Sequence, residues 1–225
     1  MWCIPPKQNA EFVARMEDVL EVYSRPYDEN FPVVCMDEKP YQLLDERLEP
    51  IPMSKDNHKE KYDCEYERKG SCSIFMFTEP LGSWRYTEAL PRRTCEDWAL
   101  QVKRLLDEEY PKVKKVVLVM DNLNTHNISS FYKIFSPEEA FRLSQRLEIH
   151  YTPKHGSWLD IAEIELSALT VQCLWGKRIH SIESLNEQLS AWCVNRNHSQ
   201  KGVVWQFNNS DARIKLKHLY PIVMF

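Results

Sequence analysis

Apolar residues recur at helical spacing over residues 7–24, where Phe12, Val13, Met16, Val19, Leu20 and Tyr23 share one face. Pro26 ends that helix, because proline has no N–H to donate and its ring clashes with the preceding turn. The period then changes. Val33-Val34-Cys35-Met36-Asp37 is a β-branched run that predicts a short strand ending on an acid. Residues 41–69 are polar and irregular, with an exposed loop predicted from Asp56 to Lys61. Residues 72–78 and 83–90 predict two strands about the turn Glu79-Pro80-Leu81-Gly82, which makes them an antiparallel pair. Trp98, Val102, Leu105 and Leu106 mark a helix over 95–109. Residues 114–121 are so apolar that both faces of the strand should be covered, as at the centre of an α/β sheet. A helix over 128–146, a strand over 147–151 closed by Pro153, and helices over 160–175 and 181–195 follow, with Ser181 capping the last.

Early strands followed by alternating helices and strands imply an α/β fold, a mixed sheet with helices on its faces. No repeat, low-complexity tract or interdomain linker interrupts the chain. In such sheets, sites form beyond the carboxyl ends of the strands. Asp37 and Asp121 both sit where an apolar strand stops, so they become neighbours if their strands are parallel and adjacent.

Composition narrows the function classes. The 225 residues are 43% hydrophobic and 28% charged, which suits one sizeable domain. No apolar run approaches the roughly 18 residues of a membrane helix, and Met1-Trp2-Cys3-Ile4-Pro5-Pro6 lacks the basic and apolar segments of a signal peptide. Seven scattered cysteines, several in apolar segments, fit a reducing compartment better than a disulfide framework, and no Cys-x-x-Cys pair points to structural zinc. The net charge of −4 argues against nucleic acid as a partner until its distribution is considered. Residues 1–70 carry −6 and residues 71–141 carry −1, whereas residues 142–225 carry +3 and five of the seven histidines. A basic C-terminal third can meet phosphate although the whole chain is acidic.

An ionised group resists burial without a partner, so two apolar strands running into Asp37 and Asp121 call for one. Glu163, on an amphipathic stretch opened by Ser157-Trp158-Leu159-Asp160, adds a third acid. Such a trio repels itself unless divalent cations neutralise it, and hard oxygen ligands favour Mg²⁺ or Mn²⁺.

The surrounding residues form three blocks: Met36-Asp37-Glu38-Lys39-Pro40, then Met120-Asp121-Asn122-Leu123-Asn124-Thr125-His126, then Tyr151 to Glu165 with its Gly156-Ser157-Trp158-Leu159-Asp160-Ile161-Ala162-Glu163 core. They resemble the signature blocks of DDE transposases, in particular the bacterial insertion-sequence branch of the mariner superfamily, over nearly the whole chain. The resemblance implies a ribonuclease-H-like fold and an N-terminal helical lead-in over 1–30. It further implies a catalytic domain over 31–200 and a C-terminal basic extension over 201–225. It also implies Asp37, Asp121 and Glu163 as catalytic ligands of two Mg²⁺ ions, with Mn²⁺ as a substitute, in an endonuclease that cuts DNA and transfers a 3′-hydroxyl strand.

Glu163 is preferred to Glu165 on the motif, and the two lie about 200° apart around a helix, so only one can face the metals. Asn122, His126, Lys154 and His155 are the nearby candidates for orienting phosphate or water. The implied partners are element-end and target DNA and a second copy in a homodimer. Relatives also carry helix-turn-helix modules, which here would come from a separate chain or a missing N-terminal region. The implied location is cytoplasmic, at the nucleoid.

The chain departs from the family pattern at Asp160, where asparagine is common, and in the 41 residues between Asp121 and Glu163. A nuclease without strand transfer, and an inactive remnant that only binds DNA or a partner, are the alternatives. Several other residues have plainer readings. Glu38 alternates away from Asp37 and is read as solvated or as support for the site. Trp158, Trp175, Trp192 and Trp205 are read as core before base-stacking residues, and Cys35 as core. Arg92-Arg93, Arg213, Lys215 and Lys217 are read as surface or DNA-backbone contacts.

Overall fold

A computed structural model describes residues 4, 7–54, 58, 61, 63–121, 126–199 and 201–221; most of the predicted loop at 56–61 lies outside them. The predicted elements appear in order, with one helix split in two and one added: α1 (Ala10–Ser24), β1 (Val33–Glu46), β2 (Tyr66–Glu79), β3 (Trp84–Leu90), α2 (Cys95–Arg104), β4 (Val116–Met120), α3 (Phe131–Ile134), α4 (Pro137–Gln145), β5 (Leu147–Tyr151), α5 (Ile161–Leu169), α6 (Ile182–His198) and α7 (Asn209–Lys215). Single π-helical turns extend α2 through Glu109 and α5 through Leu174.

The strands form one mixed sheet in the order β3-β2-β1-β4-β5. β1 and β2 pair antiparallel, as do β2 and β3, whereas β1 pairs parallel with β4 and β4 parallel with β5. All five residues of β4 are buried, as a central strand covered on both faces requires.

Side chains alternate across a strand, so residue parity assigns each face. Cys35, Val117 and Val119 pack with residues of α1, α5 and α6 in one core. Val34, Met36, Val116, Leu118 and Met120 pack with residues of α2 and α4 in the other. The first helix and the C-terminal segment belong to the first core, through Met16, Leu20, Ala212, Leu216 and Leu219. No helix among the described residues is long and apolar enough to cross a membrane.

β3 lies at the sheet edge, where unpaired backbone groups would recruit a foreign strand. α6 closes that edge with two side-chain amides. Asn186 accepts from Ala89 N–H at 2.7 Å and donates to Ala89 O at 3.0 Å. Asn197 does the same at Arg85, at 2.9 Å each way.

Four expectations change. β1 runs on to Glu46 because β2 continues to pair with it beyond the point where β4 stops, so Asp37 lies inside a strand. The helix predicted over 128–146 breaks at Phe135, since Ser136 caps a new helix with Pro137 in its first turn. α7 begins with a capping box between Asn208 and Asp211 and had no predicted counterpart. Among the tryptophans, Trp192 is buried and Trp158 and Trp205 are half-buried, but Trp175 is 78% exposed, past the end of α5's last turn.

Candidate active site

The parallel register ends at Met36 opposite Met120, which makes Asp37 and Asp121 the next residues on adjacent strands. Asp37 shares the parity of Cys35 and so faces the layer of helices that contains α5, whereas Asp121 lies just past the end of β4. α5 starts on that face. Tyr23 donates its hydroxyl to Leu159 O at 2.7 Å, and Ile161 and Ala162 are buried in the same core. Glu163 stands exposed in the first turn, near enough for its charge to act on Asp37.

The electrostatics follow from this gathering. Asp37 is half-buried and its Oδ1 accepts from Glu38 N–H at 2.7 Å. Burial pushes its carboxyl up to about 7 against that hydrogen bond, with help from the negative charges of Glu163, Asp121 and Glu38. Asp160 caps α5, its Oδ1 accepting from Ala162 N–H at 2.9 Å. It is 2% exposed, and burial first, then Asp37, Asp121 and Glu163, hold its carboxyl far above the usual range.

Glu165 faces elsewhere. It is 1% exposed and accepts from Arg196 Nε at 2.6 Å and Nη2 at 2.9 Å, with Arg85 Nε 3.3 Å away. The turn between Glu163 and Glu165 thus sends one carboxylate toward the aspartates and the other into a cage of arginines.

On the opposite face of the sheet, His126 bridges the two strands from below. Its ring is buried, with Nδ1 3.1 Å from Asp121 Oδ1 and Nε2 2.9 Å from Glu38 Oε1, and it stacks on Trp98. Burial alone would lower its pKa, but the hydrogen bonds to Asp121 and Glu38 outweigh that and push it up to about 9. Tyr151 donates to His126 O at 2.8 Å and fixes the segment further. Glu38 is therefore no solvated group. It is buried beneath the site and holds the histidine that holds Asp121.

Lys154 and His155 are exposed on the turn after β5 and line an open groove with Asp121, Thr152, Pro153, Gly156 and Ser157. His155 takes the left-handed conformation, with φ of 64°. Gly156 is required by close approach: a Cβ there would lie 2.5 Å from Pro153 Cγ and 2.9 Å from Pro153 O. Gly156→Ala is expected to destabilise the protein by about 1–3 kcal/mol through overpacking, a fall of about 2–12 °C in midpoint for this length. Scanning calorimetry checks this, and an unchanged midpoint would show that the turn yields freely. Asn122 lies outside the described residues. Arg92 and Arg93 are exposed, while Arg213 is bound to Glu17 at 2.8 Å.

The donor set suits a hard divalent cation. Asp37, Asp121, Asp160 and Glu163 carry oxygen donors, the charges of the others act on Asp37 and Asp160, and among the described residues no lysine or arginine pairs with any of the four. Oδ2 of Asp160 is buried without a hydrogen-bond partner. Among the described residues no group of three or more His, Cys, Asp or Glu side chains is already placed to hold a metal ion. Carboxylates at the mouth of a sheet, with buried oxygen atoms to spare, fit Mg²⁺ or Mn²⁺ better than a softer ion.

Residues 32–201 match a family model described as DDE superfamily endonuclease. No curated protein sequence matches the chain. The Mos1 transposase paired-end complex with left transposon end is similar over 98% of this chain and 66% of its own, at 15% identity and a TM-score of 0.60. The Mos1 mariner paired end complex with Mn is similar over 89% and 62%, at 17% identity and a TM-score of 0.57. The Mos1 strand transfer complex is similar over the same shares, at 16% identity and a TM-score of 0.56. This likeness shows a ribonuclease-H-like fold, and the chain spans 62–66% of the length of the chains it resembles.

Proposed function

The chain belongs to the DDE superfamily endonucleases, and on that premise we propose that it is the catalytic domain of a DNA transposase. In this reading it cuts at the ends of a mobile element and joins the freed 3′-hydroxyl to target DNA. Asp37, Asp121 and Glu163 are its metal ligands, for Mg²⁺ with Mn²⁺ as a substitute. The reading is supported by where the acids fall: Asp37 and Asp121 follow the last paired residues of the parallel strands β1 and β4, Glu163 opens α5, and Asp37's carboxyl is raised by burial first and then by the charges of Glu163 and Asp121.

When bound, a pair of divalent cations would supply the Lewis acidity that activates a water or a 3′-hydroxyl and stabilises the leaving oxygen. The protein's own groups do the positioning. His126 fixes one oxygen of Asp121. Glu38 keeps His126 in place from the far side. Lys154 and His155 border the groove at Asp121, where donors can reach phosphate oxygens without reading sequence. Sequence reading would come from a helix-turn-helix region, carried on an N-terminal segment or a separate chain, and the two element ends would be held by a homodimer at the nucleoid.

The test combines Mn²⁺ calorimetry with a supercoiled plasmid carrying the element's terminal repeats. The expected result is Mn²⁺ binding, metal-dependent nicking and covalent joining of ends. Nicking without joining would make the protein a nuclease, and neither binding nor nicking would overturn the enzymatic reading.

A further inference from the structure

Asp160 is the feature of this site that the three assigned acids leave unexplained. Its first oxygen has a structural task, capping α5 through Ala162 N–H. Capping alone does not require a charge, because asparagine serves as well as aspartate at such a position. The second oxygen is buried and has no hydrogen-bond partner. A buried carboxylate oxygen left unpaired is costly, and here the residue is 2% exposed with negative neighbours.

Asp160's surroundings offer little else. Tyr23 turns its hydroxyl to Leu159 O and to Cys35, and Cys35 is itself buried. Asp160 sits one turn before Glu163, whose N–H donates to Asp160 O at 3.2 Å, and the other charges acting on its carboxyl are those of Asp37, Asp121 and Glu163. What that position lacks is a positive charge.

Resting on the function proposed above, we propose that Asp160 is a fourth carboxylate of the divalent-cation site, with its unpartnered Oδ2 as the donor. In the DNA-free protein the charge count favours it: four carboxylates neutralise two divalent cations, whereas three leave one positive charge for the DNA phosphate to balance. An asparagine at this position caps the helix equally and contributes no charge. The expected signature is therefore a site that holds cations more tightly than three acids would, in a protein that is less stable without them.

Asp160→Asn keeps the cap and the shape and removes the charge. Mn²⁺ alone, titrated into the full chain by calorimetry and followed by the electron paramagnetic resonance of free Mn²⁺, should bind at least about tenfold more weakly to the variant, since even supporting groups around a metal are worth that much. Without metal, the variant's thermal midpoint should equal or exceed the wild type's. Asp160→Ser, which also caps, repeats the test if the asparagine variant folds poorly. A role in capping alone predicts unchanged Mn²⁺ affinity, and an affinity within twofold of wild type in a folded variant overturns the proposal. Asp37→Asn separates the two levels. If it loses Mn²⁺ while Asp160→Asn does not, only the fourth carboxylate fails; if wild type binds no Mn²⁺, the underlying function fails.

Discussion

Glu163→Gln is expected to reduce metal-dependent DNA cleavage by at least about a hundredfold, because groups that merely support metal ligands already account for 10–100-fold. The same change should leave the thermal midpoint nearly where it was. Glu163 is exposed, in the first turn of α5, and has no lysine or arginine partner among the described residues. Its favourable interaction with the helix N-terminus is worth about 0.3–1 kcal/mol at such a surface position. Glutamine also removes repulsion from Asp37, whose carboxyl the glutamate raises, so the two effects oppose each other. Plasmid nicking with Mn²⁺ and a melting curve on the same preparation check both halves. Retained nicking would remove Glu163 from the site.

The sequence made the sheet legible where burial is two-sided. Residues 116–120 are continuously apolar because helices cover both faces, and a run of that kind has one structural reading. The end of β1 was illegible for the opposite reason. Beyond Asp37 the strand is held by β2, through partners such as Ile74 and Cys72, and the mixed residues 38–46 show no regular alternation that announces that pairing. Alternation turns Glu38 away from Asp37, which left it open whether it is solvated or supports the site. It is buried because His126, 88 residues later, arrives on that face. The break at Ser136-Pro137 and the capping box at Asn208 and Asp211 were written in the sequence as local signals, and helical periodicity alone overlooked them. The two glutamates of α5 are the hardest case. Both sit on one helix, and their difference comes from Arg85 and Arg196 on other elements.

That difference gives the largest expected effect on stability. Glu165→Ala should cost about 3–5 kcal/mol, the usual result of breaking a buried ion pair from one side. Arg85 is 2% exposed and would keep only neutral oxygen partners, Ser83 O, Asn197 Oδ1 and Lys201 O, with its charge uncompensated. Arg196 is better placed to relax, since 15% of its side chain already reaches solvent. For a chain of this length, each kcal/mol moves the midpoint by about 2–4 °C, so a fall of roughly 6–20 °C is expected. Exchanging Arg85 and Glu165 together for methionine should recover much of that loss, because well-packed apolar residues can replace a buried pair at little penalty. Scanning calorimetry on the single and double variants measures the coupling. Glu165→Ala should also retain Mn²⁺ binding below its own midpoint, because its carboxylate is turned into the arginines. A variant with wild-type stability that loses Mn²⁺ would exchange the roles of the two glutamates: α5 would then have to rotate by about 200°, which the buried Ile161, Ala162 and Leu166 resist.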